Sequence, residues 1–162
     1  MKNEMELIFD AVSDNESFAR VAVAAFITNL NPTVEEMADI KTAVSEAVTN
    51  SIIHGYENLY GYGGKNSREG GEIHQGKVRI HCILNKGILH IEVSDRGKGI
   101  ENVEQAMEPL FTTKPELERS GMGFAFMEAF MDDLEVESVP GEGTTVRMVK
   151  KIGIDGWIDC EE

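Results

Sequence analysis

An acid and two glycines follow a strand-like run in the second half of the chain. The run EVS ends at Ser94, Asp95 comes next, and Gly97 and Gly99 follow within the segment DRGKG. A carboxylate accepts hydrogen bonds, so Asp95 suits an exocyclic amine such as that of adenine. Glycines let a planar ligand approach the backbone closely, or adopt unusual φ and ψ values. An ordinary turn is the alternative that these residues alone leave open.

A second pair of polar residues, Glu46 and Asn50, lies in a helical pattern. Residues four apart share one face of a helix, so the two side chains are neighbours. A glutamate can act as an acid or base, and the carbonyl oxygen of an asparagine suits Mg²⁺. A solvated helix face would explain the same pair without any chemistry.

A third candidate is the segment RSGMGF, in which Gly121, Met122 and Gly123 precede a helical pattern. Free backbone N–H groups at a helix start can hold a phosphate. The segment is not a Walker A loop, because no Gly-Lys-Ser/Thr follows. A plain helix start remains the alternative.

The first half of the chain predicts one strand and two helices. Alternation over residues 5 to 11 predicts the strand. Two capping boxes predict where the helices start, one at Ser13 and Glu16 and one at Thr33 and Glu36. The helices extend to about Leu30 and from Val34 to about His54, with Gly55 as the stop. Their predicted buried stripes are Phe18, Val21, Ala22, Ala25 and Phe26 in the first, and Met37, Ile40, Val44 and Val48 in the second. Glu46 and Asn50 are predicted roughly opposite the second stripe.

The rest of the chain predicts a glycine-rich loop, two hairpins and two further helices. Residues 56 to 77 carry six glycines and predict a long loop. The predicted hairpins pair 78–84 with 88–94 and 134–139 with 144–150, and the predicted helices cover 103–107 and a run to about 131. This order predicts an α/β (α+β) two-layer sandwich, with a mixed, mostly antiparallel sheet and helices on one face.

Composition limits the function classes. The 162 residues suit one domain, and the net charge of −14 disfavours direct nucleic-acid binding. No apolar run approaches a membrane span, and the N-terminus lacks a signal-peptide core. Two cysteines form no disulfide framework, so a reduced, cytoplasmic protein is expected.

The motifs together resemble one superfamily. SEAVTNSIIHG, DRGKGI, TTK, GMGF and GTT resemble, in order and spacing, the N, G1, lid, G2 and terminal threonine boxes of the GHKL (Bergerat-fold) ATPases. Within it, the start MKNEMELIF and the segments PLFTTKPELERSGMGF and MEAFMDDLEVESVPGEGTT are similar to the anti-sigma F factors of sporulating bacteria. The resemblance covers about residues 1 to 150. It implies one kinase domain over 1–151, followed by an acidic tail at 152–162. The sequence departs from the family pattern in this tail and in a longer, glycine-rich insertion at about 59–75.

The resemblance also implies roles for single residues. Glu46 would be the general base and Asn50 the Mg²⁺ ligand. Asp95 and Gly99 would hold adenine together with Thr144, and Gly97 would let the base lie close. The lid over the nucleotide and the surroundings of its phosphates would comprise Thr112, Thr113, Lys114, Arg119, Ser120, Gly121, Met122 and Gly123.

The function that the resemblance implies is that of a protein serine/threonine kinase. It would be a cytoplasmic homodimer in the prespore compartment of a sporulating cell. It would bind and inhibit the sporulation sigma factor F and use ATP, leaving ADP, to phosphorylate a serine of its anti-anti-sigma partner. Arg20 is the candidate partner contact; an ordinary exposed arginine is the alternative.

Two other functions stay open at this point. One is a histidine-kinase-type catalytic domain, which expects an upstream phosphoacceptor histidine. The 33 residues before the Glu46 helix contain none. The other is a nucleotide-gated binding module without phosphoryl transfer, against which Glu46 argues only weakly.

Overall fold

The computed structural model describes residues 2–56, 76–109 and 122–153. Five strands and four α-helices lie within them, in the predicted order. The strands are β1 (Lys2–Asp10), β2 (Lys77–Asn85), β3 (Ile88–Asp95), β4 (Asp133–Val139) and β5 (Gly143–Lys151). The helices are α1 (Asp14–Ile27), α2 (Val34–Asn50), α3 (Val103–Ala106) and α4 (Gly123–Phe130), with short turns at Thr28–Leu30 and Ser51–Gly55.

The strands form one sheet in the order β1-β2-β3-β5-β4. Each of the four pairings in the described residues is antiparallel, so the α/β sandwich is confirmed while the sheet is less mixed than predicted. Short local connections account for two of these pairings, β2 with β3 and β4 with β5. Lys86 and Gly87, both with positive φ, turn β2 into β3. Gly141, in the turn from β4 to β5, and Gly143, the first residue of β5, also have positive φ.

One face of the sheet carries the core. Alternate residues of β2 and β3 are buried against the helices: Val78, Ile80, Cys82, Leu84, Leu89, Ile91 and Val93. Side chains alternate between the two faces of a strand, so Asp95 continues this buried set. The last residue of β3 therefore places a carboxylate on the core face of the sheet.

Helix α1 buries a different stripe from the predicted one. Ala19, Val23 and Ile27 are fully buried, whereas Phe18 and Val21 are 54% and 59% exposed. The buried residues recur at every fourth position, and the small Ala19 side chain lets the helix pack closely. Phe18 still contacts the ring of Phe9 edge-to-face, with ring centroids 6.5 Å apart.

The predicted capping box at the start of α1 is also wrong. Ser13 has helical φ and ψ and makes no side-chain cap. The Glu16 carboxylate is engaged elsewhere, because it accepts a hydrogen bond from Ser45 and lies 3.5 Å from Arg20. It therefore joins α1 to α2 instead of closing the first turn of α1.

Helix α2 agrees with the sequence prediction at its start and along its buried face. Thr33 and Glu36 form both bonds of the capping box, at 3.1 and 2.7 Å. Ile40, Val44 and Val48 are fully buried, and Met37 packs against the core from a partly exposed position.

The end of β5 is fastened to the helices by Lys150. Its ammonium group lies 3.3 Å from the Asp39 carboxylate and donates to the Phe130 carbonyl at 2.6 Å, at the C-terminal end of α4. Only 14% of the Lys150 side chain is exposed. This one cation therefore joins α2, α4 and β5.

We expect Lys150→Met to lower the free energy of unfolding by about 1 to 3 kcal/mol, because a carboxylate and a carbonyl lose a charged donor. Chemical denaturation measures it. Lys151→Met is the matched control, since Lys151 is exposed, and should change stability by less than about 0.5 kcal/mol. Equal effects of the two substitutions would contradict the assignment.

No helix in the described part of the chain has the length and apolar character needed to cross a bilayer.

Candidate functional site

The Asp95 carboxylate is held in place by hydrogen bonds at the end of β3. The residue is 8% exposed, and its Oδ1 accepts from the backbone N–H of Gly97 at 2.9 Å. Burial raises the pKa of Asp95, while bonds from Gly97, the Ser51 side chain and the Thr144 backbone act in the opposite direction. A buried, fixed acceptor of this kind suits recognition better than it suits a surface turn.

The end of the α2 segment widens next to Asp95. Residues Ser51–Gly55 form a π-helical turn instead of continuing the α-helix to His54 as predicted. Such widened turns are frequent at functional sites. Here the turn brings Ser51 into hydrogen-bonding contact with Asp95. It also places Gly55 so close that an added Cβ would lie 3.0 Å from Oδ1.

The two glycines after Asp95 each have a steric reason. A Cβ on Gly97 would lie 2.1 Å from the Gly55 carbonyl oxygen, which also accepts from Lys98 N–H at 2.8 Å. Gly99 has φ +72°, and a Cβ there would lie 2.3 Å from the carbonyl oxygen of Val139. The loop is thus packed between the α2 end and the β4 end, so its glycines serve close backbone packing.

Glu46 and Asn50 meet the start of α4. A Cβ on Gly123 would lie 3.2 Å from Glu46 Oε2 and 3.2 Å from Asn50 Nδ2. Both side chains are half-buried, so they face α4 rather than open solvent. Gly123 therefore allows the N-terminal backbone of α4 to approach an acid and an amide.

One cavity of about 490 Å³ opens between these elements. Of the predicted site residues, its lining includes Asn50, Asp95, Gly99, Gly123 and Thr144. Glu46 and Gly97 do not line it and lie directly behind it, next to Gly123 and Gly55. Helix α3 forms a rim through Asn102, Gln105 and Ala106.

A polar row crosses three strands beside the cavity. Asp95 pairs with Thr144, and Thr144 pairs with Ser138, so all three side chains lie on the core face. Sequence reasoning found the first two and missed Ser138. The available signal was its position close to the PGEG turn, two residues after Val136 and therefore on the same strand face as the apolar Leu134 and Val136.

The remaining predicted residues fall in two groups. Thr112, Thr113, Lys114, Arg119, Ser120 and Gly121 lie outside the described residues, and Met122 precedes α4 directly. Arg20 lies on α1, where it pairs with Glu16 and is 37% exposed. Their roles therefore stay predictions.

Comparison with known proteins places this chain in a family. Residues 11–150 match the histidine kinase-like ATPase domain family. The chain is 57% identical over 153 residues to an anti-sigma F factor from Thermoanaerobacter sp. (strain X514), covering 94% of this chain and 96% of that relative. The chain belongs to the anti-sigma F factor family. Other members include those of Bacillus subtilis (strain 168), 53% identical over 94% of both chains, and Clostridium beijerinckii, 55% identical over 94% of this chain and 96% of that relative.

Family membership confirms the resemblance found in the sequence, and ATP is the nucleotide that an ATPase domain of this type implies. The fold has a solved counterpart in the RsbU and RsbW domains of a Mycobacterium tuberculosis protein. The match has a TM-score of 0.61 at 18% identity and covers 93% of this chain and 32% of that one. At that identity the likeness supports the fold alone.

The two ends of the 57–75 segment meet beside the site. The Tyr56 hydroxyl donates to the Lys77 carbonyl at 2.6 Å and accepts from Arg96 N–H at 2.7 Å. A Cβ on Gly76 would lie 2.4 Å from the Tyr56 ring. A short connection can therefore join these ends without moving the flanking residues.

We expect replacement of residues 59–75 by a short Gly/Ser link to preserve folding, ATP affinity and inhibition of the sigma factor. Closing a longer loop costs only about 0.6 kcal/mol per doubling of its length, so an insertion can persist without function. Calorimetry with ATP and a transcription assay measure the outcome.

The full-length variant with Tyr60, Tyr62 and Arg68 changed to alanine is the control that separates side chains from length. These residues lie outside the described part of the chain. A tenfold loss of either property at an unchanged melting temperature would make the segment part of the site.

Proposed function

We propose that the protein is an anti-sigma factor and ATP-dependent serine kinase. It binds and inhibits the sporulation sigma factor F, and it phosphorylates a serine of the anti-anti-sigma protein that releases this sigma factor. The observation that carries the proposal is the cavity itself, in which a buried acceptor, an amide and a helix start converge in a chain of this family.

The hydrogen-bonding groups of the cavity suit an adenine nucleotide, with acceptors at one end and N–H donors at the other. Asp95 offers carboxylate oxygens to an exocyclic amine, with Thr144 beside it on the neighbouring strand. Gly99 exposes backbone where the base would lie. At the other end, the first N–H groups of α4 suit phosphate oxygens. The predicted residues 112–114 and 119–121 would add the lid and further phosphate contacts.

The end of the cavity next to the start of α4, where the phosphates would lie, also suits a Mg²⁺ ion that takes few ligands from the protein. Among the described residues, no cluster of three or more His, Cys, Asp and Glu side chains is placed to hold a metal. Asn50 lines the cavity and supplies a carbonyl oxygen. The ion usually takes one or two protein ligands and completes its shell with phosphate and water, so the arrangement fits it. The bound ion would supply charge neutralisation at the phosphates.

Glu46 suits the role of general base. It lies beside Asn50 against the start of α4, where the terminal phosphate would be held. From there it would take the proton of the attacking serine hydroxyl as the phosphoryl group transfers. The products are ADP and a phosphoserine on the partner.

The state of the nucleotide would set the affinity for the sigma factor. We infer that ATP favours the sigma complex over ADP, because lid residues 112–120 would order only against a γ-phosphate. Such coupling needs the partner to sense the ordered state. The active form is a cytoplasmic homodimer of the prespore, and Arg20 on α1 contacts a partner.

The test is incubation of the purified protein with labelled ATP and the anti-anti-sigma protein, alongside sigma factor F binding in ATP and in ADP. Label on a partner serine together with tighter sigma binding in ATP is the expected result. Sigma binding without transfer would indicate a nucleotide-gated binding module instead. Acid-labile label on a histidine would indicate a histidine-kinase-type domain.

A further inference from the structure

Ser138 is the centre of a hydrogen-bond cluster next to the cavity. Its Oγ accepts from the backbone N–H of Ile100 at 2.7 Å and lies 3.0 Å from the carbonyl oxygen of Gly143. It also lies 2.8 Å from Thr144 Oγ1. The cluster joins β4, the start of β5 and the loop that follows Asp95.

The direction of each bond follows from the number of protons. A serine hydroxyl has one proton to donate and two lone pairs that accept. The Gly143 carbonyl can only accept, so the Ser138 proton goes there. The Ile100 N–H can only donate, so it occupies one lone pair of Ser138. The assignment that satisfies all three contacts therefore makes Thr144 the donor to Ser138.

This assignment determines whether the Thr144 hydroxyl can donate or only accept hydrogen bonds on the cavity side. With its proton given to Ser138, Thr144 Oγ1 has only lone pairs left. Thr144 and Asp95 both line the cavity and are direct cross-strand neighbours, whereas Ser138 does not line it. The two side chains thus present acceptors only.

We propose that Ser138 is a positioning residue for nucleobase specificity, holding Thr144 as an acceptor so that this wall of the cavity favours a 6-amino over a 6-oxo purine. The inference rests on the proposed function. An adenine amine has two N–H donors for the two acceptors, whereas a 6-oxo group brings an oxygen against them. Without Ser138, the Thr144 hydroxyl is free to rotate and donate to that oxygen.

The experiment compares the affinities for ATP and for inosine triphosphate, measured by calorimetry. We expect Ser138→Ala to lower the ratio of the two affinities by about two- to tenfold, the range that one neutral hydrogen bond supplies. Ser138→Cys keeps the size of the side chain with a weak donor and should act in the same direction even if the alanine variant folds poorly. Ser138→Thr keeps the hydroxyl and should restore the ratio.

Two controls isolate the route through Thr144. Ser94→Ala is the matched substitution on the opposite face of β3 and should leave the ratio unchanged. In a Thr144→Val background, Ser138→Ala should change the ratio less than about twofold, because the group it positions is gone.

Three results would overturn the inference. The first is a ratio of ATP to inosine triphosphate affinity that stays at the wild-type value in both Ser138→Ala and Ser138→Cys. The second is a fall of this ratio on Ser138→Ala that is as large in the Thr144→Val background as in the protein with Thr144. The third is a wild-type protein that binds neither nucleotide, which would defeat the proposed function as well. ATP binding by the wild type with a ratio insensitive to Ser138 would defeat this inference alone.

Discussion

Glu46→Gln is expected to lower phosphoryl transfer to the anti-anti-sigma serine by about 10²- to 10⁴-fold, the usual contribution of a general base. Glutamine keeps the size and hydrogen-bonding reach of the side chain but does not take a proton at neutral pH. Glu46 contacts the Gly123 region without lining the cavity, so ATP affinity should stay within about threefold of wild type. Single-turnover transfer and calorimetry measure the two quantities.

Glu35→Gln is the matched control for this prediction. It lies in the exposed first turn of the same helix and should leave transfer unchanged. If Glu46→Gln transfers at a rate within a few-fold of wild type, another group takes the proton. If it loses ATP binding to the same extent as transfer, Glu46 holds the nucleotide site together rather than acting in chemistry.

The sequence predicted the elements whose signals are local. The Thr33 capping box, the stripe of α2 and the hairpin through Lys86 and Gly87 depend on neighbouring residues, and the structure confirms each. Asp95 was found for the same reason, because a strand period followed by glycines is visible in a few residues. Its burial follows from the register of β3, since it continues the core-facing positions.

The sequence could not predict features that depend on distant contacts. Glu16 had the spacing of a capping box, but Ser45 and Arg20 engage its carboxylate. The stripe of α1 was wrong because the helix is apolar on more than one side. Ala19, Val23 and Ile27 form one face and Phe18 and Val21 lie on another, and only the packing of the folded chain decides which is buried.

Parts of the candidate site also depend on contacts between residues far apart in the sequence, so they could not be predicted. The π-turn at Ser51–Gly55 and the link from Ser138 to Thr144 depend on strands that meet only in the fold. No window of sequence contains both sides of these contacts.

Asp95→Asn is expected to weaken ATP and ADP alike, by about 10- to 100-fold, because both share adenine. The substitution replaces a charge-assisted hydrogen bond with a neutral one. It also presents an amide donor either to the base amine or to the Gly97 N–H. Equal losses for the two nucleotides separate a base contact from a phosphate contact, which would penalise ATP more than ADP.

The pH dependence tests the same assignment through the raised pKa of Asp95, whose cause is burial. Protonation removes the carboxylate charge, so wild-type affinity should fall as pH drops through that pKa, at a higher pH than for an ordinary aspartate. Asp95→Asn should lose this part of the dependence, whereas Asp14→Asn, in the exposed first turn of α1, should keep it. Titration of the nucleotide itself affects all three proteins equally and cancels in the ratio of their affinities. Unchanged affinity of Asp95→Asn for both nucleotides would place adenine elsewhere in the cavity.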